Sequence, residues 1–419
     1  LLVNAPAVET RLFAFDAVAG QRFFLDQQAL SSDILTIRLF DPRGNLVSGP
    51  RSFTDIDVFT AAHTGRYVLA VEGRIGNGNG ASFTVNVQPV SDSTRPTGTG
   101  VTTTGTIAHP GQRHFLEFSL ASDTRLYFDS LTSNANLNWT LVGPRGTEVA
   151  GRTFTTSDSA ELTGRAVLDL VAGDYTITVD SAGDATGDYA FRLLDLSAAT
   201  NIVLDADTTG RIDPGSTTDV YRIQAEAGDT FLLDRINLSS GSPNWRLIDP
   251  TGALVFGPEA FADRNVGPLY LTGAYTLLFE GRVSQQAAID YGFRVTRTGN
   301  TPIAELTGTS ITLGANVSGT IGAAGEVDTF VFDLAAPSRL FFDGLAPNNN
   351  GNFRWALVGP RGTEMADRAI YYSESSEFTG NPVLDLVVPG TYQVRIWANG
   401  STTGAYGFRM LDLAAATAF

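Results

Sequence analysis

One strand-and-turn sentence recurs four times in this chain, and it constrains the fold more than any other feature. It reads Asn138-Trp139-Thr140-Leu141-Val142-Gly143-Pro144-Arg145-Gly146 and returns as Arg354-Trp355-Ala356-Leu357-Val358-Gly359-Pro360-Arg361-Gly362. A variant is Asn244-Trp245-Arg246-Leu247-Ile248-Asp249-Pro250-Thr251-Gly252, and the earliest copy is Thr36-Ile37-Arg38-Leu39-Phe40-Asp41-Pro42-Arg43-Gly44. The alternating apolar residues make a half-buried strand. Proline then fixes φ for a turn, and glycine takes the positive-φ position that other residues resist. Copies spaced about a domain apart predict four repeated domains in 419 residues.

Two copies align without a gap at an offset of 208 residues, which carries Asp26 to Asp234, Tyr67 to Tyr275 and Glu72-Gly73-Arg74 to Glu280-Gly281-Arg282. These type A domains cover 1–97, N-terminally incomplete, and 199–302. The type B domains, 98–198 and 303–419, share other words: Phe128-Asp129 with Phe342-Asp343, Leu168-Asp169-Leu170 with Leu384-Asp385-Leu386, and the run from Phe191 to Leu196 with that from Phe408 to Leu413. The order is A-B-A-B, so the repeating unit is a pair of domains. Within each copy, short apolar-alternating runs are separated by Gly, Pro and Asp turns, with no helical periodicity. The fold class expected is all-β, a tandem array of four β-sandwich domains. The spacers 91–104 and 298–302 are Thr-, Gly- and Pro-rich and read as linkers short enough to keep neighbours in touch.

By the same offsets Leu1 corresponds to Thr209, and Phe419 corresponds to Ile202, so both ends are cut at nearly the same phase of the repeat. Two expectations follow: a window on a longer array, or head-to-tail association in which Ala416-Thr417-Ala418-Phe419 completes a sheet edge of the next copy.

Composition narrows the partners. A formal net charge of −16 argues against nucleic acid and anionic lipid. No run of about 18 apolar residues is present, so no helical membrane insertion is expected. Leu1-Leu2-Val3-Asn4 does not read as a signal peptide, so any such segment has been removed or lies upstream. All 28 basic residues are Arg, which a GC-rich coding sequence explains more simply than anion recognition by guanidinium forks. With no cysteine, disulfides and thiolate zinc sites are excluded.

The recurring polar and aromatic residues have structural readings first. Gly65/Tyr67, Gly173/Tyr175, Gly273/Tyr275 and Gly390/Tyr392 each pair a turn glycine with a core aromatic whose hydroxyl reaches backbone. Trp139, Trp245 and Trp355 are expected as core plugs, with sugar stacking the rival. Asp26, Asp129, Asp234 and Asp343 recur at the end of a strand, where an aspartate accepts backbone N–H bonds of the turn it begins. Calcium is the rival there, with Asp55, Asp57, Asp205 and Asp207 as further oxygen donors, although no calcium-loop motif is present. His63, His109 and His114 have no counterparts in the second A-B pair, and no nucleophile-elbow, zincin or phosphate-loop motif occurs. No catalytic, cofactor-binding or metal-ligating residue is therefore assigned. No cofactor is required, with calcium the one candidate ion.

Asp219-Val220-Tyr221-Arg222-Ile223, Ala227-Gly228-Asp229-Thr230, the Asp249-Pro250 turn and Leu271-Thr272-Gly273-Ala274-Tyr275-Thr276 together resemble the bacterial pre-peptidase C-terminal domain. The type B counterparts are Val327-Asp328-Thr329-Phe330-Val331-Phe332 and Val388-Pro389-Gly390-Thr391-Tyr392, with Gly359-Pro360 in place of Asp-Pro. The resemblance covers all four domains. It implies jelly-roll-like sandwiches doing accessory, binding or spacing work in secreted proteases or bacterial surface proteins, some relatives binding collagen or calcium. The expected function is a non-catalytic stalk, adhesin arm or surface filament at the bacterial cell surface or outside the cell. Its partners would be further copies of the repeat, itself head to tail, or an extracellular glycan or matrix protein. Rival expectations are a glycan-binding tandem module, which needs exposed aromatics repeated on one face, and an accessory region of a secreted protease.

Overall fold

The computed structural model describes residues 2–5, 8–32, 35–76, 80–158, 167–345, 351–374 and 380–417. Among these the chain is all-β, in eight sheets, with helix confined to single 3-10 turns such as Phe154–Thr156 and Leu196–Ala198. The sheets fall into four pairs along the sequence, called units 1 to 4 below, and each pair encloses its own buried cluster. In unit 3 one sheet runs in the order Thr200–Asn201, Thr218–Ala225, Gly273–Glu280, Asn244–Ile248, Leu254–Ala260. The facing sheet runs Asp207–Ile212, Ile289–Asn300, Asp229–Leu238, Arg264–Val266. Equivalent strands take the same order in the other units, so spatial neighbours are mostly distant in sequence.

The repeated sentence supplies the centre of every unit. Trp139, Trp245 and Trp355 are buried between the sheets as expected, and Ile37 fills the position in unit 1. Directly after this residue, the register with the hairpin partner shifts in all four copies, a bulge that bends each hairpin over the core.

A short strand precedes each of units 2, 3 and 4, the first of them inside the spacer 91–104. Ser93–Pro96 pairs in parallel with His114–Leu120, Thr200–Asn201 with Thr218–Ala225, and Thr309–Ser310 with Val327–Leu334. Each of these short strands is the edge strand of the unit it introduces, because extended backbone beside an unpaired edge satisfies that edge's hydrogen bonds. The stretch 298–302, read as linker, lies largely inside the strand Ile289–Asn300. Leu1, Ala418 and Phe419 lie outside the described residues.

Candidate functional site

The recurring residues resolve into one corner built four times. Tyr67, Tyr175, Tyr275 and Tyr392 each donate a hydroxyl hydrogen bond to the carbonyl four residues earlier, at 3.2, 2.7, 2.9 and 2.6 Å. The glycine two residues before each tyrosine has φ between +142° and +151°, and a Cβ there would strike the proline of the repeated turn. Pro42, Pro250 and Pro360 would meet it at 2.9, 2.8 and 2.8 Å. The two commonest words of the sequence therefore pack on each other, which explains why they travel together.

Type A and type B close this turn differently. In type A the Asp41 carboxylate accepts the Arg43 and Asn45 N–H groups, both at 2.8 Å, and Asp249 accepts those of Thr251 and Ala253 at 2.8 and 2.9 Å. Type B has Gly143 and Gly359 there because the rings of Tyr175 and Tyr392 occupy the space a Cβ would need. An Arg-x-x-Glu ion pair braces the turn instead: Arg145–Glu148 at 2.8 Å and Arg361–Glu364 at 2.5 Å.

The strand-end aspartates have a different job from the one expected. The backbone N–H that follows each is accepted by a second acid: Asp55 takes Gln27 N–H at 2.6 Å, Asp158 takes Ser130 N–H at 2.6 Å and Asp263 takes Arg235 N–H at 2.9 Å. Glu374 does the same for Gly344. These partners stand 29 residues on, or 31 for Glu374, a pairing across a hairpin that no local motif reveals. In type B the first acid reaches across the sheet instead, Asp129 to Arg192 Nε at 2.7 Å and Asp343 to Arg409, whereas Asp26 accepts from the Gln28 side chain at 3.1 Å. At the junction of units 1 and 2, Asp184 meets Asp55, Asp57 and Asp26. Burial first, then the Asp55 carboxylate, pushes its pKa up to about 6. No group of three His, Cys, Asp or Glu is set to hold a metal ion among the described residues. Asp207 is engaged by Arg294 at 2.5 Å.

The histidines take three separate surroundings. His63 lies 3.8 Å from Asp41, and the His109 carbonyl accepts a turn hydrogen bond from Gln112. His114 is buried with Nδ1 2.9 Å from the Tyr189 hydroxyl, and burial followed by Arg95 holds its pKa below the usual value. That position belongs to Asp219 in unit 3, which accepts from the Tyr291 hydroxyl at 2.6 Å, and to Asp328 in unit 4, which accepts from Tyr406. His114 thus substitutes for a structural aspartate.

The most heavily built polar site lies where unit 2 meets unit 3. Glu280 is fully buried there and accepts from Tyr127 Oη at 2.6 Å and Arg246 Nε at 3.0 Å. Burial pushes its carboxyl up, and Arg246 and Tyr127 pull it back. Arg192 donates to the Thr218 carbonyl at 3.0 Å, and Arg125 donates to the Pro250 carbonyl at 3.2 Å and to that of Thr251. Between these bonds Tyr127, Leu196, Ile248 and Leu278 form an apolar cluster of their own. The strand Asn244–Ile248 is consequently buried on both faces, whereas its counterpart Leu35–Phe40 alternates as its pattern dictates.

Units 3 and 4 enclose a cleft of about 440 Å³ lined by Asp249, Leu254, Tyr270, Tyr275, Arg361 and Glu364 among others. Tyr270 and Tyr372 are the exposed aromatics among the described residues, and their counterparts are Ala62 and Thr156. No helix among the described residues is long and apolar enough to cross a membrane.

No family model matches the chain, and no curated protein matches it. Solved structures that overlap it include the CUB1-EGF-CUB2 domain of human MASP-1/3, at 12% identity over 46% of this chain and 99% of that one, TM-score 0.16. The CUB1-EGF-CUB2 domains of rat MASP-1 overlap at 12% identity over 48% and 99%, TM-score 0.16. The arabinofuranosyltransferase AftD from Mycobacteria overlaps at 11% identity over 94% and 38%, TM-score 0.14. Likeness at these TM-scores assigns neither a family nor a function.

Proposed function

We propose that the chain is a non-catalytic structural segment of a secreted or cell-surface bacterial repeat protein, working as a stalk or adhesin arm. The carrying observation is the unit 2–unit 3 interface, where Glu280, Arg246 and Tyr127 are buried together between successive sandwiches. Pulling the units apart strips the buried Glu280 of the Tyr127 hydroxyl and exposes the Tyr127, Leu196, Ile248 and Leu278 cluster, so the junction resists displacement. Such a junction holds two A-B pairs at a fixed angle, which is what an arm needs and a flexible tether does not. The resemblance to the pre-peptidase C-terminal domain supports the same reading, and with it an extracellular location or a place beside a secreted peptidase. Small-angle scattering tests it: the chain should scatter as one rigid particle, and Tyr127→Ala with Arg125→Ala should raise its radius of gyration. A wild-type curve of independently tumbling beads would overturn the reading.

Glycan binding is the second reading, favoured by the cleft beside Tyr270. The missing counterpart at Ala62 makes this one site rather than a tandem array. Glycan-array binding that disappears in Tyr270→Ala would establish it.

A further inference from the structure

The faces that join units 2 and 3 exist a second time in the molecule, and among the described residues no other unit covers them. Unit 2 presents Arg125, Tyr127, Val167, Arg192, Leu194 and Leu196. Unit 4 repeats them as Arg339, Phe341, Val383, Arg409, Leu411 and Leu413. Unit 3 receives them on Thr218, Val220, Arg246, Ile248, Leu278 and Glu280. Unit 1 repeats those as Thr10, Leu12, Arg38, Phe40, Ala70 and Glu72. The supporting bonds are repeated too: Arg339 pairs with Asp385 at 2.9 Å as Arg125 pairs with Asp169, and Arg38 pairs with Glu72 at 3.1 Å as Arg246 pairs with Glu280. The ion pairs differ in burial. The side chains of Arg246 and Glu280 are 5% and 0% exposed, against 39% and 26% for Arg38 and Glu72. Leu196 is 4% exposed and Leu413 39%, while Leu12 on the opposite face is 67% exposed.

We propose that the chain associates head to tail with a second copy of itself, unit 4 of one copy seating on unit 1 of the next in the geometry of the unit 2–unit 3 interface. The occupant of each face is specified by the interface already inside the molecule. Leu411 and Leu413 pack on Leu12 and Phe40, Arg409 reaches the Thr10 carbonyl, and Arg339 reaches the carbonyls of the Pro42–Arg43 turn. Phe341 stands where Tyr127 does, so the Glu72 carboxylate keeps the Arg38 bond and lacks the hydroxyl that Glu280 has. The contact is heterologous and does not close on two copies, so it adds units along one direction.

The inference rests on the reading of the chain as a structural repeat, and its test is separate from the scattering test of that reading. Sedimentation of the 419-residue chain from micromolar to millimolar concentration should show a mass that rises above 44.5 kDa. Leu413→Glu and Leu12→Glu, both at exposed positions, should each abolish polymers, because either buries a charge in the contact. Their equimolar mixture should give discrete dimers, since each variant keeps the face the other has lost. Ile75→Glu, at a position 95% exposed outside both faces, should associate as the wild type does. A chain monomeric throughout would overturn the inference while leaving the arm reading standing. Polymers that persist in both variants, or a mixture that forms no dimer, would also overturn it.

Discussion

At the scale of single residues, each buried donor and acceptor carries a testable cost. Trp139 Nε1 donates to Ser157 Oγ at 2.7 Å and Trp355 Nε1 to Ser373 Oγ at 2.6 Å. In unit 3 the position before the paired acid is Ala262, and Trp245 Nε1 has no hydrogen-bond partner among the described residues. Ser157→Ala should therefore destabilise unit 2 by about 1–3 kcal/mol, the cost of orphaning a buried donor, read by calorimetry. The Asp184 cluster carries a pH prediction. A carboxyl whose pKa is raised from 3.8 to about 6 binds a proton in the native state that the unfolded chain has already lost, so stability falls as pH rises from about 4 to 6. Asp184→Asn should remove that slope and raise the melting temperature at pH 7.5. Calcium bound at these carboxylates would relieve the same repulsion and stabilise by mass action. A melting temperature equal in EDTA and in millimolar calcium removes it from the account.

At the scale of elements, the corner that joins the repeated turn to the Gly-x-Tyr strand fixes each sandwich. Gly173 sits at φ +142° with Pro144 against the place a side chain would take. Gly173→Ala should cost unit 2 about 1–3 kcal/mol of backbone strain. Tyr175→Phe, which removes only the hydroxyl bond to Val171, should cost about 0.5–1.5 kcal/mol. Urea unfolding followed by near-ultraviolet circular dichroism distinguishes the two. The short edge strands belong to this scale as well: Thr200–Asn201 contributes two residues to a sheet yet fixes how unit 3 leaves unit 2.

At the scale of the whole molecule, stability is shared across units. Glu280→Ala removes the acceptor of both Tyr127 and Arg246 and leaves a guanidinium buried without its carboxylate. A loss of about 3–5 kcal/mol is expected. Because the Tyr127 bond crosses the junction while the Arg246 bond lies within unit 3, unit 3 should lose stability and the calorimetric transitions of units 2 and 3 should separate. The equivalent Glu72→Ala in unit 1, whose pair is partly exposed, should cost about 0–1 kcal/mol in the monomeric chain.

The sequence alone determined the sandwich class, the A-B-A-B order, the buried tryptophans and the tyrosine corner. Each of these follows from strand alternation, turn chemistry and repetition, which act over a few residues. It did not reveal the acid pairs such as Asp129 and Asp158, because their spacing is set by a hairpin and matches no local period. Nor did it show His114 in the place of Asp219, since a chemical exchange hides an equivalence that only superposed strands expose. The outward faces were decided by tertiary structure alone. Thr36-Ile37-Arg38-Leu39-Phe40 and Asn244-Trp245-Arg246-Leu247-Ile248 carry the same pattern, yet Arg38 stays partly exposed and Arg246 is buried. A residue's inward or outward direction is set by the strand's own two-residue period. Whether the outward side meets water or another sandwich depends on where the neighbouring unit sits, and no local pattern encodes that.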